Sequence, residues 1–274
     1  MILLLAALLA QTDATSRSWN APVEPFHLTA HLSYVGASEV TSYAIETSQG
    51  LIVIDGGFVE TAPQIERNLA KLGYAVRNVK VLLSSHAHFD HAGGLADLKK
   101  ATGATLYVSA ADAAALARGG KDDFAFGDRF PFPPVRADRI VRDHDRVQLG
   151  EVTLTANLTP GHTRGCTTWA GRIDGRDVVF VCSTRAPGYR LVGNEKYPGI
   201  VEDYRRTFAR LRSLRCDIFL ASHGSFFGLA EKMRKGPSAF VDPDGYRAFV
   251  DSEEAAFERE VARQKGFPST AVSR

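Results

Sequence analysis

The chain has 274 residues, with 33 Lys plus Arg against 31 Asp plus Glu and a formal net charge of +2. A hydrophobic content of 45% and a charged content of 23% are ordinary for a globular protein, and the length suits one domain with a sizeable core. The sequence contains no run of basic residues, which argues against a nucleic-acid partner because such binders carry a concentrated positive face.

The first ten residues, MILLLAALLA, are apolar and too short to span a bilayer, but they suit the middle of a secretory signal. The positive residues that usually precede such a stretch are missing, and an apolar N-terminus without signal function is the alternative interpretation. We predict a signal peptide and leader over residues 1–18 and a mature domain over residues 19–274. The protein is then expected in the periplasm, without a membrane anchor.

The sequence predicts two successive groups of strands along the chain, and each group ends with helices. The sequence predicts strands at FHLTAHLSYVG, TSYAIETSQG, LIVIDGG, VKVLLSS, ATLYVSA, DRVQLG, EVTLTANL, CTTWAGRI, DVVFVCS and CDIFLAS. It predicts helices at TAPQIERNLAKLG, ADLKKATG, ADAAALARGG, EDYRRTFARLRSL and PDGYRAFVDSEEAAFEREVARQ. Residues 119–138 are rich in Gly, Pro and aromatic residues, which is typical of a long surface loop. Runs of strands with helices outside predict an α+β fold, in which two packed sheets lie between helical layers within a single domain.

The chain has three cysteines, Cys166, Cys182 and Cys216. Three thiols cannot all pair within one chain, so we predict no disulfide framework. Cys166 and Cys182 could meet across a hairpin, but the favoured interpretation for all three is a small buried thiol.

A cluster of metal-ligand residue types stands in SSHAHFDHAGG, residues 84–94. Side chains two positions apart in an extended loop point the same way, so His86 and His88 can bind one ion together. Asp90 lies two positions further on, and His91 begins the turn into the next helix. Imidazole and carboxylate groups are ligands that zinc accepts, so a metal site is favoured over a polar surface loop.

Four residues of one loop cannot surround two ions, so further ligands must come from elsewhere. His162 follows the strand EVTLTANL in TPGHT, where Gly161 lets the turn approach closely. His223 follows the strand CDIFLAS in ASHG. In all three places the ligand stands just beyond an apolar strand, and strand ends on one rim of packed sheets can converge. The remaining histidines lie in a strand or a solvated turn and are excluded: His27, His31 and His144.

The chain resembles the metallo-β-lactamase superfamily, whose signature HxHxDH stands here as His86-Ala87-His88-Phe89-Asp90-His91. It is similar to the third subclass of metallo-β-lactamases in PFHL, YVG, LIVIDGG, HAHFDHAGGLADLK, TPGHTRGCTTW, APGYRLVGNEKYPGIVEDY and FLASHGSFF. The resemblance implies a four-layer αββα sandwich and two Zn²⁺ ions. It assigns one ion to His86, His88 and His162, and the other to Asp90, His91 and His223.

Other branches of the superfamily share the signature. Glyoxalase-type thioester hydrolases add a bridging aspartate where this chain has Ser183, and diiron flavoproteins have a glutamate where His88 stands. The first lactamase subclass uses a cysteine ligand near Ser183, but Cys182 is one position away and is expected on the other face of a strand. The resemblance therefore favours hydrolysis of the β-lactam amide bond of penicillins, cephalosporins and carbapenems by metal-bound hydroxide. A dizinc lactonase or other cyclic-ester hydrolase is the alternative, and a metal-binding protein without catalysis is the third hypothesis.

Further roles follow from the resemblance. Asp90 is expected to orient the hydroxide, and Asp55 to orient the metal site from behind its ligands, unless it is only a turn carboxylate. Tyr189 could assist the oxyanion or only pack, and Ser183 could contact the metal-bound water or the substrate carboxylate. Arg185 stands where the family often has a small hydroxyl residue, so it would bind that carboxylate by charge or else block the pocket. We expect a monomer whose partner is a small-molecule β-lactam.

Two further positions depart from the family. Arg164 replaces a frequent proline. Relatives often pair a cysteine at the position of Cys216 with one near the last helix, but this chain has none around Asp242, so that bridge is not expected.

Overall fold

The computed structural model describes residues 16–266, so nearly all of the predicted signal segment lies outside the described residues. The described chain forms two β-sheets. The first has seven strands in chain order, antiparallel from β1 to β4 and parallel from β4 to β7. Their bounds are β1 Phe26–His27, β2 Leu32–Tyr34, β3 Tyr43–Thr47, β4 Gly50–Ile54, β5 Val79–Leu83, β6 Thr105–Ser109 and β7 Arg139–Val141.

The second sheet has five strands in the order β12-β11-β10-β9-β8, and all its pairs are antiparallel except β11 with β12. Their bounds are β8 Arg146–Leu149, β9 Val152–Leu158, β10 Thr167–Ile173, β11 Arg176–Val181 and β12 Ile218–Ala221. The α-helices are α1 Ala62–Lys71, α2 Phe89–Ala92, α3 Leu95–Thr102, α4 Ala110–Ala117, α5 Ile200–Ser213, α6 Gly224–Phe227, α7 Leu229–Lys235 and α8 Pro243–Gln264. Among the described helices, none has the length and apolar character needed to cross a membrane.

The four layers can be followed in the two faces of β4. Ile52 and Ile54 point into one apolar cluster, which the first sheet shares with the second sheet and with α5 and α8. Leu51 and Val53 point the other way, into a second cluster with α1, α3 and α4. Because alternate strand residues face opposite sides, one strand contributes to both cores. The predicted α+β, αββα sandwich is confirmed.

Most predicted elements are found, and the last helix spans the predicted segment, with the Asp242 carboxylate accepting a hydrogen bond from the Gly245 N–H. The single strand predicted at FHLTAHLSYVG is wrong, since it is a hairpin in which Phe26 pairs with Tyr34. Asp174, from the turn between β10 and β11, accepts hydrogen bonds from Thr29 Oγ1 and the His31 N–H. This tertiary contact holds the bend, so His31 lies in a turn and not in a strand.

Two of the cysteines are joined. Cys166 precedes β10 and Cys182 follows β11, and their Cα atoms lie 5.9 Å apart in a disulfide. The prediction of buried thiols is therefore wrong for this pair, because the antiparallel register that brings the strand ends together is not readable from spacing. Cys216 is a free, partly buried thiol, as predicted.

Candidate metal centre

The six predicted ligands converge at one rim of the sandwich, where strands of both sheets end. His86 and His88 follow β5, Asp90 and His91 lie on the short helix α2, and the remaining two ligands follow β9 and β12. Most are nearly fully buried. The ligand-type side chains so assembled are His86, His88, Asp90, His91, His162 and His223.

The turn that carries His162 needs a glycine before it. Gly161 has a φ of 134°, and a Cβ built on it would lie 2.7 Å from the ring of Tyr204. Any side chain at this position would push the turn away from α5, so the glycine brings His162 close to the cluster.

The first group of ligand atoms comes from His86, His88 and His162. Nδ1 of His88 lies 3.0 Å from Nε2 of His162, and the ligand atoms of all three lie within 4.8 Å of one another. Nε2 of His86 is buried and has no hydrogen-bond partner among the described residues. Nitrogens on one tetrahedral zinc with bonds of 2.0–2.1 Å are about 3.3 Å apart, so this group fits one such ion.

The second group comes from the other three residues. Nε2 of His91 lies 3.2 Å from Nε2 of His223, and the Asp90 carboxylate oxygen Oδ2 lies 3.4 Å and 3.7 Å from those nitrogens. These separations are also in the range that tetrahedral coordination requires. The two groups adjoin, since the ring centroids of His86 and His91 are 4.3 Å apart.

The buried cluster favours the protonation states that bind metal at several of its ligands. Burial, together with neighbouring histidines, lowers the pKa of His86 and of His162 well below the ordinary value. Burial opposes ionisation of Asp90, but the charge and hydrogen bond of His91 outweigh it and lower the pKa of this carboxyl. Neutral His86 and His162 beside an ionised Asp90 are the ligand forms that zinc needs, whereas the charge and hydrogen bond of Asp90 overcome burial and raise the pKa of His91.

Two ligands are oriented by backbone and hydroxyl groups behind them. Nδ1 of His162 donates to the carbonyl oxygen of Arg185 at 2.7 Å. Nδ1 of His86 lies 3.0 Å from Oγ of Ser85, whose hydroxyl donates to Asp55 at 2.6 Å, so His86 is the donor in this chain of hydrogen bonds. Such contacts leave Nε2 of both rings free to bind metal.

Asp55 occupies a constrained position behind the cluster. Its φ is 62°, a left-handed value that is uncommon outside glycine, and its second oxygen accepts the Ser85 N–H at 2.6 Å. Oδ2 lies 3.7 Å from Nδ1 of His91, and burial raises the pKa of Asp55 to about 6. The carboxylate thus contacts Ser85, which adjoins His86, and lies behind His91, as the expected orienting role requires.

Two carboxylates near the ligands were missed by the sequence analysis. Glu39 Oε1 lies 3.6 Å from Nδ1 of His223, and Asp123 Oδ2 lies 3.6 Å from Nε2 of His88. Neither belongs to a motif or follows an apolar strand, so no local signal marks them. Together with Asp55, they place an acidic group beside the outward nitrogen of three different ligands.

Two of the predicted substrate-facing residues, Tyr189 and Arg185, contact His162. Ser183 is buried two positions after the end of β11. The Tyr189 hydroxyl donates to the carbonyl oxygen of His162 at 3.0 Å, and its ring is stacked on the His162 ring. The Arg185 guanidinium lies 4.5 Å from the ring centroid of Phe226 and 3.4 Å from a carboxylate oxygen of Glu253, with half of the side chain exposed.

Residues 119–138 contain no helix or strand, and part of this loop forms a wall of the site. The ring of Phe126 lies 5.4 Å from that of His88 and 5.6 Å from that of Tyr189, while Phe124 lies 5.1 Å from Tyr189. The histidines excluded by the sequence analysis stay outside the cluster, since His31 and His144 have side chains that are 51% and 58% exposed.

A four-layer αββα sandwich with histidines and an aspartate gathered at its strand ends defines a metal-binding hydrolase. The chain belongs to the metallo-beta-lactamase superfamily, whose model matches residues 35–223. Among solved structures, a metallo-β-lactamase of Cronobacter sakazakii with an HARLDQ motif has a TM-score of 0.89 and 44% identity, over 92% of this chain and 99% of that one. This chain has HAHFDH as its corresponding signature, with His88 and His91 where that motif has Arg and Gln.

Two further solved structures are similar over nearly their whole length. BJP-1, a subclass B3 metallo-β-lactamase of Bradyrhizobium japonicum, has a TM-score of 0.85 and 38% identity, over 91% of this chain and 98% of that one. FEZ-1, a metallo-β-lactamase of Legionella gormanii, has a TM-score of 0.86 and 39% identity, over 90% of this chain and 98% of that one.

Curated relatives match over shorter segments. An acyl-coenzyme A thioesterase of Gallus gallus is 30% identical over 152 residues, 48% of this chain and 53% of that protein. A hydroxyacylglutathione hydrolase of Rhodospirillum rubrum is 33% identical over 94 residues, 34% of this chain and 28% of that protein. The chain thus spans about half, or less, of the length of these relatives.

Proposed function

We propose that this protein is a dizinc β-lactamase that hydrolyses the β-lactam amide bond of penicillins, cephalosporins and carbapenems. The observation that carries the proposal is the set of six ligand-type side chains, most of them nearly fully buried, arranged in two adjoining groups of three. The end-to-end similarity to metallo-β-lactamases supports the same substrate class. In this proposal, zinc is bound by His86, His88 and His162, and by Asp90, His91 and His223.

Zinc ions bound by these residues would lower the pKa of a water molecule toward about 7 and polarise the lactam carbonyl. The protein contributes orientation. Asp90 Oδ2 lies 3.4 Å and 3.7 Å from the Nε2 atoms of His91 and His223, where the carboxylate would orient the attacking water. Asp55 holds Ser85 and, through it, the ring of His86. A rigid set of ligands places the nucleophile without reorganisation during the reaction.

Arg185 and Ser183 are proposed to bind the carboxylate of the substrate. The Arg185 guanidinium lies over Phe226, whose ring is 5.1 Å from that of His223, so its positive charge is adjacent to the metal centre. Its ion pair with Glu253 is long and half exposed, so the guanidinium can turn to an anionic ligand at little cost. Planar guanidinium and carboxylate groups form paired hydrogen bonds.

The Tyr189 hydroxyl is proposed to hold the His162 segment through the carbonyl oxygen that it contacts. The oxyanion role suggested by the resemblance requires this hydroxyl to leave that carbonyl when substrate binds, and it stays a prediction. We further propose that the protein is periplasmic, on the basis of the apolar N-terminal segment in the sequence. A monomeric state stays a prediction.

Hydrolysis of cyclic esters or thioesters is the second candidate, because the curated relatives include thioester hydrolases. Against it, the residue two positions after β11, where thioester hydrolases are expected to have a bridging aspartate, is Ser183, which has no carboxylate to bridge two ions. β-Lactam hydrolysis and ester or thioester hydrolysis would use the same metal chemistry. They differ in the substrate bond that the site accepts.

The test is a hydrolysis panel with the zinc-loaded full chain. The substrates are a penicillin, a cephalosporin, a carbapenem, an acyl-homoserine lactone and an acyl thioester, each with and without a chelator. We expect turnover of β-lactams that the chelator abolishes and added zinc restores. Turnover of the lactone or thioester alone would contradict the β-lactamase proposal, and zinc binding without any hydrolysis would contradict both candidates.

A further inference from the structure

One ligand of the candidate centre has an unusual orientation. His88 faces the cluster through Nδ1, which lies 3.0 Å from Nε2 of His162. A neutral imidazole that coordinates through Nδ1 carries its proton on Nε2. Nε2 of His88 is buried and makes no hydrogen bond with the described residues. A buried N–H without an acceptor is costly, so this ring needs an acceptor on its outer side.

Asp123 supplies the nearby acidic group. Its Oδ2 atom lies 3.6 Å from Nε2 of His88, a few tenths of an ångström beyond hydrogen-bond distance, and its side chain is only 16% exposed. Asp112, a second buried carboxylate near His88, already accepts hydrogen bonds from other groups. Asp112 accepts hydrogen bonds from the backbone of Ala87, from Thr163 and from the backbone of Gly165.

The second oxygen of Asp123 organises the loop from which it comes. Oδ1 accepts the N–H groups of Ala125 and Phe126, both at 2.8 Å. The backbone of Asp123 also pairs with that of Gly127 in both directions, at 3.1 and 2.9 Å. Residues 123–127 therefore form a closed turn, and this turn presents Phe124 and Phe126 to the site.

We propose that Asp123 is a positioning residue of the metal centre that links His88 to the aromatic wall. One carboxylate oxygen accepts the Nε2 proton of His88 and orients the ring toward the ion. The other holds the turn 123–127, so metal affinity and the shape of the wall depend on the same side chain. The inference rests on the proposed zinc-dependent function. Partners behind a metal ligand typically contribute about 10–100-fold in metal affinity or activity.

The substitution Asp123→Asn separates the two roles. An asparagine at position 123 retains an oxygen that accepts the loop N–H groups. Its NH2 group then faces Nε2 of His88, and because an amide NH2 is only a donor, it cannot accept the proton on that nitrogen. Asp122→Asn is the matched control. Asp122 is the adjacent residue, its side chain is 79% exposed, and it lies 3.4 Å from Lys196.

Zinc affinity is measured by competition with a chromophoric chelator, and the absorption spectrum is recorded after cobalt(II) substitution. We expect Asp123→Asn to weaken binding of the ion held by His88, or of both ions, by about tenfold or more and to alter the cobalt spectrum. Asp122→Asn should match the unaltered chain in both measurements. The melting temperatures of all three metal-free proteins should agree, because the loop hydrogen bonds are retained.

Asp123→Ala removes both oxygens. It should show the same loss of zinc affinity as Asp123→Asn and, in addition, a higher KM for β-lactams, since the wall loses its turn. Unchanged zinc affinity and an unchanged cobalt spectrum in Asp123→Asn would overturn the inference. So would a lower melting temperature of the metal-free variant with no change in metal binding. Both readouts are independent of substrate, so failure of the unaltered protein to hydrolyse β-lactams would contradict only the proposed function.

Discussion

Nδ1 of His162 donates a 2.7 Å hydrogen bond to the backbone carbonyl oxygen of Arg185. The hydroxyl of Tyr204 donates to the same oxygen at 2.8 Å. The orientation of this metal ligand therefore depends on the main chain at Arg185 and not on its guanidinium. The side chain can be changed without disturbing the ligand, which makes its role testable.

Replacing Arg185 with Ala should raise KM for β-lactams by about 10–100-fold with little change in kcat, because a charge-assisted contact to the substrate carboxylate is worth about 1.5–3 kcal/mol. Steady-state kinetics on a penicillin and a carbapenem measure this. Glu253→Gln is the companion variant, since it removes the competing partner of Arg185. It should lower KM or leave it unchanged. Identical KM values for Arg185→Ala and the unaltered chain on every β-lactam would refute the contact.

Tyr189→Phe tests the two roles of the hydroxyl. The structure predicts loss of about 1 kcal/mol of stability, because the buried hydrogen bond to the His162 carbonyl disappears, and a kcat within about threefold of the original. Denaturant unfolding and steady-state kinetics supply both numbers. A fall in kcat of about 100-fold or more would instead support the oxyanion role.

The Cys166–Cys182 disulfide closes a loop with a sequence separation of 16. Loop-closure entropy predicts that the double variant Cys166→Ser and Cys182→Ser lowers the free energy of unfolding by about 3 kcal/mol. Urea unfolding under oxidising conditions measures the change, and a reductant should destabilise the unaltered chain but not the variant. Cys216→Ser serves as the control. If reductant destabilises neither protein, the bridge does not contribute to stability.

The ion pair of His31 and Asp174 predicts a pH dependence of stability. A side-chain hydrogen bond and the charge of Asp174, 2.5 Å away, raise the pKa of His31 above its ordinary value of 6.5. The contribution is therefore fully present below about pH 6.5 and is lost as the pH rises through the folded-state pKa.

We expect His31→Gln to have a lower free energy of unfolding than the unaltered chain at pH 5.5, by no more than about 1 kcal/mol because the ion pair is exposed. At pH 9 the free energies of unfolding of the two proteins should be nearly equal. Urea unfolding at the two pH values measures the difference. The control is His27→Gln, in the same hairpin, where the ring contacts Ser33. A stability loss of equal size at both pH values would show that protonation of His31 is not involved.

What could be predicted from the sequence depends on local pattern. The unbroken apolar run in LIVIDGG predicted a strand, and the structure places Leu51 and Ile52 in different cores. The ligands His162 and His223 could be found because each follows an apolar strand, and strand ends on one rim meet. The resemblance to a family then divided the ligands between two ions, which spacing alone left open.

Only the tertiary structure decided which groups stand behind the ligands. Glu39 and His223 are near opposite ends of the chain, and Asp123 reaches His88 from a loop that has no regular pattern. The disulfide and the bend at His31 likewise depend on the register of β10 with β11 and on Asp174. Residue type and periodicity describe neighbouring positions of the chain. These contacts depend on how distant segments pack against one another, so they could not be predicted from local sequence patterns.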